Sequence, residues 1–286
     1  MRQFYLIKNP EKPGVDQAAE DICRHIEERG GSCRIQEPGE KLYRGGQNHF
    51  QYTDACQVPD STQCVITLGG DGTLIQAARD LAGRHIPMVG VNLGHVGYLT
   101  QIGKKENIEE LLEALLTDQY QLEHRMMLKG SIFCQGREAE RDLALNEIVI
   151  TRRENLRVLR FRIYVNGEYL SEYKADGMIA ATPTGSTAYN LSAGGPIVAP
   201  GARMTILTPI CPHALNGRSI VLPAEDRIEI EAMGNDDSGQ VAVFDGDITF
   251  SMRVGDRIRI ERSDVETILV KLKNISFLDN LRNKLA

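Results

Sequence analysis

No stretch of the sequence stays apolar for the roughly 18 residues that a membrane-spanning helix requires, which excludes such a helix. Basic residues are in the minority, 33 against 39 acidic, for a formal net charge of −6. That balance argues against a general nucleic-acid binder or a protein held on an anionic membrane, while leaving local basic pockets open. The N-terminus, MRQFYLIKNPEKPG, lacks a signal-peptide cleavage pattern. Its short apolar stretch runs into Lys8, Asn9 and Pro10 and reads as a first β-strand. None of the six cysteines forms a CxxC pair; Cys23, Cys33, Cys56, Cys64, Cys134 and Cys211 read as reduced thiols of a cytoplasmic protein. Internal repeats and low-complexity segments are missing, and so is tryptophan.

What is present is globular: 42% hydrophobic and 25% charged residues exclude global disorder. A chain of 286 residues suggests about two domains and buries roughly three quarters of its unfolded surface. The first third alternates strand and helix. Phe4–Asn9 is a strand candidate; Val15, Ala18, Ala19, Ile22, Cys23 and Ile26 recur at helical spacing, with Gly30 as a stop. Ser32–Gln36 follows as a second strand, and the polar segment 37–61 is either mobile or a functional lid. Cys64–Leu68 is the continuous apolar run that a buried parallel strand needs. It enters Gly69-Gly70-Asp71-Gly72-Thr73 and a helix from Leu74 to Ala82; Pro87–Asn92 is another strand and Glu109–Leu116 another helix. Such alternation implies a parallel sheet covered on both faces.

After residue 124 the pattern turns β-rich. Leu143–Ile150 and Val158–Val165 are strand-like, and Asn166-Gly167 signals a type I′ hairpin returning along Tyr169–Tyr173. Arg227–Glu231, Gln240–Phe244, Ile248–Arg253, Arg257–Arg262 and Thr267–Leu272 follow between turn residues, with one short helix near Gly185–Ser192. Phe277–Leu285 is amphipathic and is expected to dock on the first domain. The expected division is 1–124, an α/β domain with the Gly-Gly-Asp-Gly-Thr loop, 125–265, and a returning segment 266–286.

Five segments are candidates for chemistry. Gly69–Thr73 sits at the carboxyl end of a parallel strand and the head of a helix, where doubly wound sheets bind ligands and where N–H groups favour anions. It is neither a GxxxxGK[ST] loop nor a GxGxxG fingerprint. Asp71 could accept a proton, orient a hydroxyl or hold Mg²⁺ beside phosphates, or simply cap its helix. Asn92–Gly97 also follows a strand end, with His95 left out of the chemistry. Asn146-Glu147 interrupts an apolar strand. The pair could grip a ribose diol or a base edge, or be two solvated groups at a strand end. Asp176-Gly177 and Thr182–Pro196 gather hydroxyls around a glycine at the head of a short helix, with Tyr189 offering an aromatic face; the plainer reading is a self-capping turn. Phe244-Asp245-Gly246-Asp247 reads first as a hairpin turn.

Together, Gly69–Thr73, Asn92–Tyr98, Asn146-Glu147, Asp176-Gly177, Thr182–Pro196 and Pro209–Pro212 resemble the NAD kinase family in order and spacing over nearly the whole chain. Gly-Gly-Asp-Gly alone is shared with phosphofructokinases and with diacylglycerol and sphingosine kinases. The resemblance implies an N-terminal doubly wound (Rossmann-like) domain and a C-terminal β-sandwich, with NAD in the cleft between them. It implies transfer of phosphate from ATP, or another phosphoryl donor such as polyphosphate, to the 2′-hydroxyl of the adenosine ribose, a divalent ion such as Mg²⁺, and a homodimer or homotetramer. Asp71 would be the general base or the carboxylate that orients the hydroxyl, with Gly72 beside it. Asn146 and Glu147 would hold the adenosine, and Asp176 would contact the second nucleotide. Thr187, Ala188, Tyr189, Asn190, Leu191 and Ser192 would line the dinucleotide site, with Arg157, Lys174 and Asp247 as further contacts. Lys174 stands where many bacterial relatives carry Arg, and Asp247 where relatives often carry Gln. The competing readings are a lipid kinase sharing the Asp71 loop, for which no basic amphipathic segment is found, and a non-catalytic NADP(H) sensor.

Overall fold

Five consecutive buried residues, Cys64–Leu68, form the strand next to which the first unit assembles. The structure, a computed structural model, describes residues 1–37, 53–94, 97–100, 102–103, 105–153, 158–213, 217–234, 239–272 and 276–285. Most of the expected lid over 37–61, together with Arg157 and His95, lies outside the described residues. Among the described residues, those up to His124 form one compact unit with those from Glu266 onward, and Arg125–Val265 forms the other.

In the first unit, β1 (Gln3–Lys8) leads into α1 (Val15–Glu28) and β2 (Ser32–Ile35). Then come β3 (Cys64–Leu68), α2 (Asp71–Asp80), β4 (Met88–Val91), α3 (Lys105–Leu116) and, at the end of the chain, α4 (Phe277–Leu285). The strands are parallel in the order β2-β1-β3-β4, and Leu269 pairs in parallel with Met88. The chain winds outward from β1 to β2 and then returns to the other side of β1, so the switch point lies between β1 and β3. Helix α1 buries Val15, Ala19, Ile22, Cys23 and Ile26, a single face at helical spacing. Gly30 ends it, with the Gly31 N–H donating to the Ile26 carbonyl.

Because α1 packs back on β2, Cys23 and Cys33 come to a Cα separation of 5.1 Å and their sulfurs are bonded. This corrects the expectation of six free thiols. The pair could not be read from sequence because it depends on how a helix lies on its neighbouring strand. Cys56, Cys64, Cys134 and Cys211 are free.

The second unit holds most of the strands: β5 (Gln121–Cys134), β6 (Arg137–Ala144), β7 (Glu147–Arg152), β8 (Leu159–Val165), β9 (Glu168–Ala175) and β10 (Gly177–Ala181). They continue with β11 (Met204–Ile210), β12 (Ile220–Pro223), β13 (Ile228–Met233), β14 (Gln240–Phe244), β15 (Ile248–Met252) and β16 (Arg257–Lys271). One antiparallel sheet runs β12-β11-β10-β7-β14-β15. The other sets β16, β13, β8 and β9 side by side, with β5 pairing both β16 and β6. Ile148, Ala180 and Phe244 from the first sheet share a core with Phe161, Ile230 and Ile260 from the second, which makes the unit a β-sandwich. Val149, Ile179, Ala181 and Ile206 form a smaller cluster on the outer face of the first sheet, against Ala193 and Val198. Strands β7 and β10 are thus covered on both faces, which is why their sequences run apolar without alternation.

The expected hairpin at Asn166-Gly167 joins β8 to β9. Two expectations change. Leu143–Ile150 is broken at Leu145 and Asn146 into β6 and β7. Arg257–Arg262 and Thr267–Leu272 are one strand, β16, because the intervening Ser263 and Asp264 do not stop an extended chain. Phe161 is fully buried and stacks on Tyr173 with ring centroids 6.2 Å apart. Phe161→Ala is expected to lower unfolding stability by about 3–5 kcal/mol, read by chemical denaturation; a loss below about 1 kcal/mol would show that the sandwich does not depend on this contact.

Candidate active site

Asp71 opens α2, three residues earlier than expected, so the Gly-Gly-Asp-Gly-Thr loop and the first turn of the helix overlap. The loop is tied to the switch point through the Asn9 N–H, which donates to the Leu68 carbonyl at 2.8 Å. The half-buried Asp71 carboxylate is fully engaged on one side. Its Oδ2 accepts from the Tyr98 N–H at 2.8 Å. Its Oδ1 accepts from the Leu99 N–H at 3.3 Å, the Thr100 N–H at 2.8 Å and the Thr100 hydroxyl at 2.6 Å. Gly97 must be glycine for this to form, since a Cβ there would overlap the same carboxylate. Gly97 and Tyr98 of the second motif therefore lie directly against the acid of the preceding motif. Asp71 does not cap its own helix through a side-chain hydrogen bond: the residue at the cap is Gly70, which makes none.

In the second unit the break between β6 and β7 is held by Asp245. Its carboxylate accepts from the backbone N–H groups of Leu145, Asn146 and Glu147 at 2.8, 2.8 and 3.1 Å. Its own N–H donates to the Glu147 carbonyl at 3.0 Å. Asp245 and Gly246 both have positive φ in the turn between β14 and β15, as expected of the Asp-Gly hairpin. The turn is thus real, yet its first aspartate also shapes the Asn146-Glu147 step. Asn146 Oδ1 and Glu147 Oε2 are buried without a hydrogen-bond partner among the described residues. Orphaned acceptors on two consecutive residues suit a ligand that brings N–H or O–H donors.

Thr182–Ser192 folds against the same step. The Thr182 N–H donates to the Asn146 carbonyl at 2.8 Å and the Thr182 hydroxyl to the Leu145 carbonyl at 2.6 Å. A Cβ on Gly185 would run into the Asn146 backbone, so the glycine permits the approach. Several hydroxyls expected to face a ligand serve the turn instead: Ser186 donates to Pro183 and accepts from the Val198 N–H, and Thr187 donates to Thr184. Asn190 is fully buried, its amide donating to Ser186 and Pro196 and accepting from Thr208, so its side chain is a strut of this turn. Tyr189 and Ser192 are exposed, while Thr187, Ala188 and Leu191 are half-buried.

The remaining expected residues are more scattered. Asp176 accepts from Arg152 at 2.9 Å, and Lys174 is exposed on β9. Asp247 is half-buried, with its N–H donating to Phe244 across the hairpin. Gly72 lies in the first turn of α2. Sequence reasoning missed Thr100, two residues beyond the motif it recognised, and Asp245, which it read only as a turn residue. No group of three or more His, Cys, Asp or Glu able to hold a metal ion occurs among the described residues. They do not fit a resident metal centre.

Burial, and secondarily the Asp245 charge, push the Glu147 carboxyl from 4.5 up to about 8. Between those values the folded chain keeps a proton that the unfolded chain has released. The contribution is full below about 4.5, declines as pH rises, and is lost above about 8. Glu147→Gln is expected to flatten the fall in stability across that window and to be the more stable protein at pH 9. Parallel pH profiles of the two proteins in urea unfolding would contradict the assignment.

Residues 4–120 match the ATP-NAD kinase N-terminal domain, and residues 145–272 match the ATP-NAD kinase C-terminal domain. The chain is 45% identical to the NAD kinase of Lachnospira eligens over 297 residues, covering 100% of each. It is 42% identical to the NAD kinase of Agathobacter rectalis over 291 residues, 100% of this chain and 99% of that one. A crystal structure of yeast NADH kinase complexed with NADH superposes with a TM-score of 0.82 at 26% identity, covering 99% of this chain and 86% of that chain. An NAD kinase from Archaeoglobus fulgidus in complex with ATP gives 0.75 at 26% identity, covering 100% and 98%. With both domains matched in order and relatives aligned end to end, the chain belongs to the ATP-NAD kinase family, phosphotransferases that act on an alcohol group.

Proposed function

We propose that this chain transfers the terminal phosphate of ATP to the 2′-hydroxyl of the adenosine ribose of NAD, giving NADP and ADP. The observation that carries the reading is Asp71: an intact carboxylate beyond the carboxyl end of β3, beside the switch point, held by backbone donors, with three hydrogen bonds on Oδ1 and one on Oδ2 among the described residues. The hydroxyl oxygen attacks the terminal phosphorus, the bond to the ADP oxygen breaks, and the hydroxyl proton passes to Asp71. A ribose hydroxyl is a poor nucleophile, so positioning and charge neutralisation supply most of the acceleration. Mg²⁺ enters as part of the nucleotide substrate, MgATP; such ions are held by substrate phosphates with one or two carboxylates rather than by a full protein cage.

Asn146 and Glu147 take the adenosine in this reading, their orphaned acceptors meeting its donors. Near neutral pH a carboxyl at about 8 carries its proton, so Glu147 both donates and accepts. Tyr189 offers its ring, with Thr187, Ala188, Leu191 and Ser192 beside it, while Asp176 contacts the second nucleotide and Lys174, Asp247 and Arg157 add charge. The cytoplasmic location and the homodimeric or homotetrameric assembly belong to the same proposal and stand on the family likeness.

Asp71→Asn tests the reading. It is expected to leave the NAD dissociation constant within about threefold while turnover falls about 10²- to 10⁴-fold. Steady-state kinetics beside calorimetric binding separates the two effects, and retained turnover would remove Asp71 from the chemistry.

A further inference from the structure

The motifs that follow β3 and β4 are joined by a hydrogen-bond relay whose direction can be worked out atom by atom. Asn92 lies just past β4, and its Oδ1 accepts from the Gly94 N–H at 2.9 Å. A backbone N–H can only donate, so this contact fixes which end of the amide is oxygen. The other end, Nδ2, then points at the Thr100 hydroxyl, 3.2 Å away. A hydroxyl has one proton, and with Asn92 donating to it that proton is directed at Asp71 Oδ1, 2.6 Å away. Thr100 is fully buried, and its methyl packs so closely on Gly90 of β4 that any Cβ there would overlap it. A χ1 rotation that put the methyl in the hydroxyl's place would bring it about 2.6 Å from Asp71 Oδ1, inside van der Waals contact, so the hydroxyl is the group that faces the carboxylate.

The relay makes the two Asp71 oxygens unequal. A carboxylate oxygen offers about two lone-pair positions. Oδ1 already receives the Leu99 N–H, the Thr100 N–H and the Thr100 hydroxyl, whereas among the described residues Oδ2 receives only the Tyr98 N–H. We propose that Thr100, aimed by Asn92, is a positioning residue of the phosphoryl transfer: it anchors Oδ1 in the protein and leaves Oδ2 as the atom that takes the acceptor hydroxyl. The Asn92–Tyr98 motif thereby gains a purpose that neither a phosphate loop nor a dinucleotide fingerprint supplies. This inference rests on the reading of Asp71 given above and deepens it.

The test compares purified full-length wild type, Thr100→Val, Thr100→Ser, Asn92→Asp and Asp71→Asn with NAD⁺ and MgATP, with thermal midpoints measured alongside. Thr100→Val keeps the shape and removes the hydroxyl; its kcat is expected to fall about 10- to 100-fold with both KM values within about twofold, the signature of a misplaced catalytic group. Thr100→Ser restores the hydroxyl and is expected to recover most of that loss. Asn92→Asp keeps the contact to Gly94 but presents an acceptor to Thr100, turning the hydroxyl proton away from Asp71, and is expected to resemble Thr100→Val. Should Thr100→Val fail to fold, Asn92→Asp and Thr100→Ser decide the matter alone.

Wild-type kcat in Thr100→Val or Asn92→Asp, beside an inactive Asp71→Asn, would overturn the proposal. So would equal losses in Thr100→Ser and Thr100→Val, or an effect confined to KM. A wild type that makes no NADP⁺, or an active Asp71→Asn, overturns instead the reading on which the proposal stands.

Discussion

A carboxylate drawn out of water needs donors, and in each unit of this chain three consecutive backbone N–H groups supply them. Asp71 gathers Tyr98, Leu99 and Thr100; Asp245 gathers Leu145, Asn146 and Glu147. Charge-assisted hydrogen bonds of this kind are roughly twice as strong as neutral ones. They also dictate shape, because three successive N–H groups can converge on one carboxylate only if the chain bends. The loop over 97–100 and the break between β6 and β7 are the two bends. Gly97 and Gly185 follow from them, since a side chain at either would occupy space already taken by Asp71 or by the Asn146 backbone.

The same device has opposite consequences for the groups it serves. Around Asp71 the donors hold the carboxylate, three hydrogen bonds falling on Oδ1 and one on Oδ2 among the described residues. Around Asp245 they hold the backbone, and the side chains of Asn146 and Glu147 are left with buried acceptors that lack donors. An unpartnered buried acceptor costs stability, and the Asp245 charge adds to what Glu147 bears. Strain of this sort persists where a ligand relieves it. The cost is met by the sandwich underneath, where β7 and β10 are covered on both faces.

Much of the fold was legible because it is written in local pattern. Cys64–Leu68 and Gln240–Phe244 are strands with the bounds their apolar runs suggested, and Phe277–Leu285 is the amphipathic helix its spacing suggested. The motifs at Asp71 and Asn146-Glu147 could be found from residue types and from family resemblance. What stayed hidden depends on residues far apart in sequence. Asp245 reaches across about a hundred positions to break an apolar run that reads as one strand. The Cys23–Cys33 bond depends on how α1 lies on β2, and the tie between Thr100 and Asp71 depends on a loop closing over a helix start. Hydroxyls in Thr182–Ser192 were the reverse case, since residue type suggested ligand contacts and the structure gives several of them to the turn.

The most direct measurement is the fate of the phosphate. Wild-type protein would be incubated with NAD⁺ and MgATP and followed by phosphorus NMR, with the products resolved by mass. The expected result is one new phosphomonoester at the adenosine 2′ position for each ADP released. Unchanged NAD⁺, or phosphate appearing at any other position, would contradict the assignment of this chain as a kinase of the NAD 2′-hydroxyl.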